Sequence, residues 1–96
     1  MLSSEDCRSR ADQFLTQMSQ QWADELTLLP EALETSYTLA FFYQTDRYLI
    51  TGNAADALAG NAPILINKLT GAAEFAGTAR PIEEYIRGFE IKAGHI

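Results

Sequence analysis

Apolar side chains recur along this chain in two rhythms, one helical and one alternating. Cys7, Ala11, Phe14, Leu15, Met18 and Trp22 share one face at helical spacing. Arg8, Asp12, Gln13, Gln17 and Gln20 lie off that stripe. Ser3 and Ser4 supply cap chemistry, and Glu5 and Asp6 sit where a helix N-terminus favours negative charge. These signals predict a helix from Ser4 to about Trp22. Near the other end, Ile82, Tyr85, Ile86 and Phe89 follow the i, i+3, i+4, i+7 rule. Pro81 starts that second helix at a position where a missing N–H costs nothing. Gly88 weakens it by about 1 kcal/mol relative to alanine, and the segment from Ala93 to Ile96 is expected to fray.

Between the helices the pattern turns β-like. Leu26 to Leu29 reads as a strand interrupted by Pro30, which places it at an edge or bulges it there. Glu34, Thr35 and Ser36 connect it to the strongest strand, Tyr37 to Gln44. Neither face of that strand is cleanly polar: Tyr37, Leu39, Phe41 and Tyr43 alternate with Thr38, Ala40, Phe42 and Gln44. Tyr48 to Ile50 is expected to extend the sheet briefly. Thr51 to Ala62 is a long connection, with Ala54 to Ala59 forming a helical turn. Ile64 to Ile66 is a compact β-prone run. Asn67, Lys68, Leu69, Thr70 and Gly71 supply a tight turn in which Gly71 takes positive φ. Ala72 to Ala76 returns as the partner strand, and Gly77 ends it.

Helix, two strands, long loop, two strands, helix is an α+β order. It predicts a small four-stranded antiparallel sheet with the N-terminal and C-terminal helices packed on one face. The other face is left to solvent or to a partner. At 96 residues the chain is expected to be one domain, 1–96.

Composition narrows the function classes. An apolar share of 47% and a charged share of 21% are ordinary for a soluble globular chain. The net charge of −6 argues against nonspecific binding to nucleic acid or anionic membrane. It suits solubility and docking to a basic protein. A single cysteine, Cys7, precludes an internal disulfide. No secretory leader is evident at the start, and no run approaches the ~20 apolar residues of a membrane span. A cytoplasmic location is the expectation.

The chain is poor in catalytic equipment. Its one histidine, His95, stands beside the expected frayed end, and Cys7 falls on an apolar stripe. No histidine–cysteine cluster has metal-ligand spacing. Glu83 and Glu84 point in different directions and suit the helix N-terminus. Gly52, Gly60, Gly71 and Gly77 fit no phosphate-binding pattern. No catalytic residue, metal or cofactor is expected. What remains are polar residues around connections. Glu31 and Glu34 flank the first hairpin, Asp46, Arg47 and Tyr48 follow the strongest strand, and Asn53 and Asp56 lie in the long loop. These seven are the candidate partner-binding residues.

One family resemblance runs through the same segments. Gly60-Asn61-Ala62-Pro63, Asn67-Lys68-x-Thr70-Gly71, Gly77-Thr78-Ala79 and Pro81-Ile82-Glu83-Glu84-Tyr85-Ile86 resemble the YrhB-like domain, also called the immunity protein 35 family. Pro30-Glu31-Ala32, Phe41-Phe42-Tyr43-Gln44 and Arg47-Tyr48-Leu49 match more weakly. Asn67 stands where relatives often carry an acidic residue; either suits a turn. The resemblance implies a non-catalytic bacterial immunity protein. Such a protein neutralises a cognate toxin by occluding its active site, and the toxin is expected to present a basic surface there. The resemblance also admits a stand-alone YrhB-like stress or chaperone-type protein that binds unfolded clients.

Overall fold

A computed structural model describes residues 1–20, 25–53 and 62–95. Helix α1 spans Ser4–Ser19. Strands β1 (Leu26–Glu34) and β2 (Thr38–Thr45) follow, then a short helix α2 (Asp46–Thr51). Strands β3 (Ile64–Asn67) and β4 (Ala73–Phe75) lead into helix α3 (Ile82–Lys92). The four strands form one antiparallel sheet in the order β1-β2-β3-β4. The α+β class, the sheet and the two terminal helices match the expectation from sequence. Trp22, Asp56 and the expected helical turn at Ala54 to Ala59 lie outside the described residues.

Helix α1 opens with a reciprocal cap. The Ser3 hydroxyl accepts from the Asp6 N–H at 3.1 Å, and the Asp6 carboxylate accepts from the Ser3 N–H at 3.3 Å. Its stripe of Cys7, Ala11 and Leu15 packs on Leu39, Phe41, Tyr43, Ile64 and Ile66. Phe14 is only half-buried against that core, its ring 4.9 Å from the ring of Phe75.

The placement of both helices on one face is corrected. Register pairs Leu39 with Ile66 and Phe41 with Ile64 on one face, and Ala40 with Leu65 on the other. α1 covers the first set, while Ile86 and Phe89 of α3 cover Ala40 and Leu65. The sheet is therefore sandwiched between the two helices. The physical reason lies in β2 and β3 themselves: strands apolar on both faces need cover on both. Ile64, Leu65 and Ile66 are all fully buried as a result.

Two local differences matter for function. β1 does not stop at Pro30. It continues through a bulge in which Leu29, Pro30 and Glu31 stand opposite Phe42 alone. Tyr48 to Ile50 is helix and not strand. Thr45 caps α2 by accepting the Tyr48 N–H at 3.1 Å, and Gly52 closes it at φ 66 with its N–H on the Tyr48 carbonyl.

The β3–β4 turn follows its sequence. The Asn67 side-chain oxygen accepts from the N–H groups of Leu69 and Thr70 at 2.8 and 3.2 Å. Gly71 sits at φ 79, as its place in the turn required. The chain end is tied down where fraying was expected. His95 stacks on Tyr37 with ring centroids 4.5 Å apart, and its Nε2 lies 3.0 Å from the Asn67 side-chain nitrogen.

Candidate functional site

The candidate partner-binding residues fall into two groups at opposite ends of the β1–β2 hairpin. Asp46, Arg47 and Tyr48 belong to α2, with Asn53 just after its cap. Glu34 pairs with Leu39, six positions along β2 from Thr45, or about 20 Å at strand rise. Glu31 lies between, exposed on the bulge. The structure thus does not bring all of them together.

At the Glu34 end the polar groups serve the fold. Lys68 is buried, and its ammonium meets Glu34 at 2.5 Å and the Thr35 carbonyl at 3.0 Å. Glu90 of α3 reaches under the same turn and accepts from the hydroxyls of Thr35 and Thr38, both at 2.6 Å. Among the described residues no buried side-chain nitrogen or oxygen lacks a hydrogen-bond partner. Lys68 and Glu90 were invisible to sequence reasoning because their partners are 34 and 52 to 55 positions away.

The α2 end is exposed. The Thr27 hydroxyl donates to Asp46 at 2.5 Å, and the Asp46 N–H donates to the Glu25 carbonyl at 3.0 Å, which fixes the start of α2 on the start of β1. None of the residues of α2 is buried. Leu49 and Ile50, read from sequence as strand, project from this helix and are 47% and 83% exposed.

Beside this corner, α1 and β1 flank an open groove of about 360 Å³ lined by Glu5, Arg8, Ser9, Asp12, Thr27 and Leu28. Thr27 joins groove and α2, since it lines the first and bonds Asp46 of the second. Arg8 is held in place by the bulge. Its two terminal nitrogens donate to the Leu29 and Pro30 carbonyls at 3.0 and 2.9 Å, and its guanidinium lies 5.0 Å from the centre of the Phe41 ring. Asp12, which the sequence placed off the apolar stripe and outside the candidate site, lines this groove.

Among the described residues no group of three histidine, cysteine or acidic side chains is placed to hold a metal ion. Burial pushes the Cys7 thiol above its ordinary range, with Asp6 and Glu34 adding to the rise and Lys68 and Arg10 opposing it. That is the opposite of nucleophile activation. Among the described residues no helix is long and apolar enough to cross a membrane.

The family model described as immunity protein 35 matches residues 5–88. The chain belongs to the immunity protein 35 family. It is also 46% identical over 52 residues to the uncharacterized protein YrhB of Escherichia coli (strain K12). That match covers 54% of this chain and 55% of the relative, so the chain spans about half the length of the curated relative it matches. No solved structure matches.

The family segments in this chain have structural jobs. A Cβ at Gly77 would stand 2.5 Å from the Tyr85 ring, whose hydroxyl accepts the Ala79 N–H at 3.2 Å. A Cβ at Gly71 would stand 2.5 Å from the Arg10 guanidinium. What the immunity-family segments secure is therefore the turn and the docking of α3.

Proposed function

We propose that this immunity-family chain binds a cognate bacterial toxin and covers its active cleft, without catalysis of its own, in the cytoplasm. The family match over residues 5–88 is the observation that carries this reading. The charge of −6 supports a partner with a basic active-site surface, because opposite fields speed association and disfavour wrong partners. Asp46, Arg47, Tyr48 and Asn53 on and after α2, with Glu31 on the bulge and Asp56 further along the sequence, are the proposed contacts. Glu34 is retained only at the margin, since its carboxylate already serves Lys68.

Co-expression with the toxin encoded beside this chain tests the reading. Protection should require stoichiometric amounts, and toxin activity should fall linearly in titration until the partners match. Protection by trace amounts would point to enzymatic reversal of damage and end the occlusion reading.

A second reading is a stand-alone YrhB-like protein that holds unfolded clients. The identity to YrhB and the exposed Leu49 and Ile50 favour it. Suppression of aggregation of a heat-denatured enzyme by the purified chain, with no effect on any toxin, would select it.

A further inference from the structure

The geometry points to Ile50 as the apolar anchor of the complex, entering a recess on a cationic toxin surface while the α1–β1 groove receives a toxin lysine or arginine. This inference rests on the toxin-binding reading. It begins from the exposure of Ile50, which at 83% is extreme for an isoleucine on a capped helix. Thr45 and Gly52 cap both ends of α2, and Thr27 and Glu25 fasten its first residue to β1. The fold thus holds Ile50 and Leu49 outward on a fixed element. A preorganised apolar knob loses little entropy on docking, and buried aliphatic or aromatic anchors ringed by polar groups carry much of the energy of tight interfaces.

The surroundings define the occupant by charge. Glu25, Asp46 and the groove carboxylates Glu5 and Asp12 lie on the elements that meet at this corner, with Arg47 on α2 as an opposing charge. Arg8 sits among them, but its terminal nitrogens are directed at the carbonyls of the bulge. Among the groove's lining residues, the partly buried Leu28 suits the methylene stem of a long basic side chain, and the exposed carboxylates of Glu5 and Asp12 suit its charged head. A second copy of this chain, itself at −6, would set like charges against each other. A cationic protein surface with an apolar recess meets both halves of the site.

The test measures binding of the toxin encoded beside this chain, as a catalytically inactive variant, to the parent, Ile50→Asp, Ile50→Ala, Asp12→Lys and Glu83→Lys chains. Glu83→Lys changes net charge as Asp12→Lys does, but on α3, across the sheet from the groove. Thermal melts confirm that each chain is folded. Ile50→Asp should weaken the parent affinity by about 30-fold or more, and Ile50→Ala by less. Asp12→Lys should weaken binding by about 10-fold and flatten its salt dependence, and Glu83→Lys should do neither. If the parent binds and Ile50→Asp binds as tightly, the anchor is overturned while the toxin-binding reading stands. If the parent does not bind, both fall. If sedimentation shows a parent dimer that Ile50→Asp dissociates, a second copy covers the patch and the proposal is overturned.

Discussion

Thr38 of β2 donates its hydroxyl hydrogen to Oε2 of Glu90 on α3 at 2.6 Å, in a site where the threonine is fully buried. Thr35 donates to the same oxygen at 2.6 Å. One carboxylate therefore locks the last helix to the first hairpin. Glu90→Leu should destabilise the chain by about 1–3 kcal/mol, because it strands a buried hydroxyl. Combined with Thr38→Val, the loss should be smaller than the sum of the two single losses, with a coupling of about 0.5–3 kcal/mol. Additive urea midpoints would show that the contact does not operate.

Gly77 and Gly88 should respond to alanine with opposite signs. At Gly77 the new methyl meets the Tyr85 ring, and overpacking of this kind costs about 1–3 kcal/mol. At Gly88, inside α3, nothing lies within 4 Å of the added carbon. Gly88→Ala should therefore stabilise by about 1 kcal/mol and raise Tm by roughly 4–8 °C. A lower Tm for Gly88→Ala would contradict the open surroundings of that position.

Ile86 and Phe14 face different depths of core. Ile86→Ala should cost about 2–5 kcal/mol, since the side chain is buried between α3 and the sheet. Phe14→Ala should cost less than the ~3–5 kcal/mol of a fully buried phenylalanine, because its ring is half-exposed. Equal losses in a chemical melt would place Phe14 deeper than the structure does.

Arg8 should resist conservative replacement. Its two nitrogens reach two successive carbonyls of the bulge, a fork that a lysine ammonium does not reproduce. Arg8→Lys and Arg8→Ala should both destabilise, by about 1–2 kcal/mol, and both should speed amide exchange around residues 29–32. Full stability in Arg8→Lys would mean that charge alone matters there.

Stability should fall on the alkaline side. Burial raises the Cys7 thiol above its ordinary 9.0 and the Tyr43 hydroxyl above its ordinary 10.0. In the unfolded chain the thiol loses its proton near its ordinary value, while the folded chain keeps it. The native state then binds more protons, so stability drops as pH rises from about 9 until the folded thiol itself ionises. Urea midpoints of the parent and of Cys7→Ala between pH 7 and 10.5 check this. The parent should lose more stability than the variant across that window, and parallel curves would refute the thiol's part.

Much of the fold was legible locally. The α1 stripe, the turn built on Asn67 and Gly71, and the proline-led α3 are short-range patterns, set by caps, periodicity and backbone sterics. The side of the sheet taken by α3 was not legible, because β2 and β3 are apolar on both faces and alternation alone gives no preference. Tyr48 to Ile50, expected as strand, lies in α2 for a related reason. Tyr-Leu-Ile has the composition of a strand, and the Thr45 cap, the Gly52 closure and the tie to Thr27 turned it into a helix.

The candidate site divides the same way. The sequence by itself determined acidity and the polar positions at Asp46 to Tyr48, since these depend only on which residues are present and on near neighbours. Tertiary structure decided which of them are available. It engaged Glu34 with Lys68, drew Glu90 beneath the first hairpin, turned Asp12 toward β1 and left Ile50 in solvent. Those outcomes depend on contacts between segments tens of residues apart, where chain order gives no distance and only packing does.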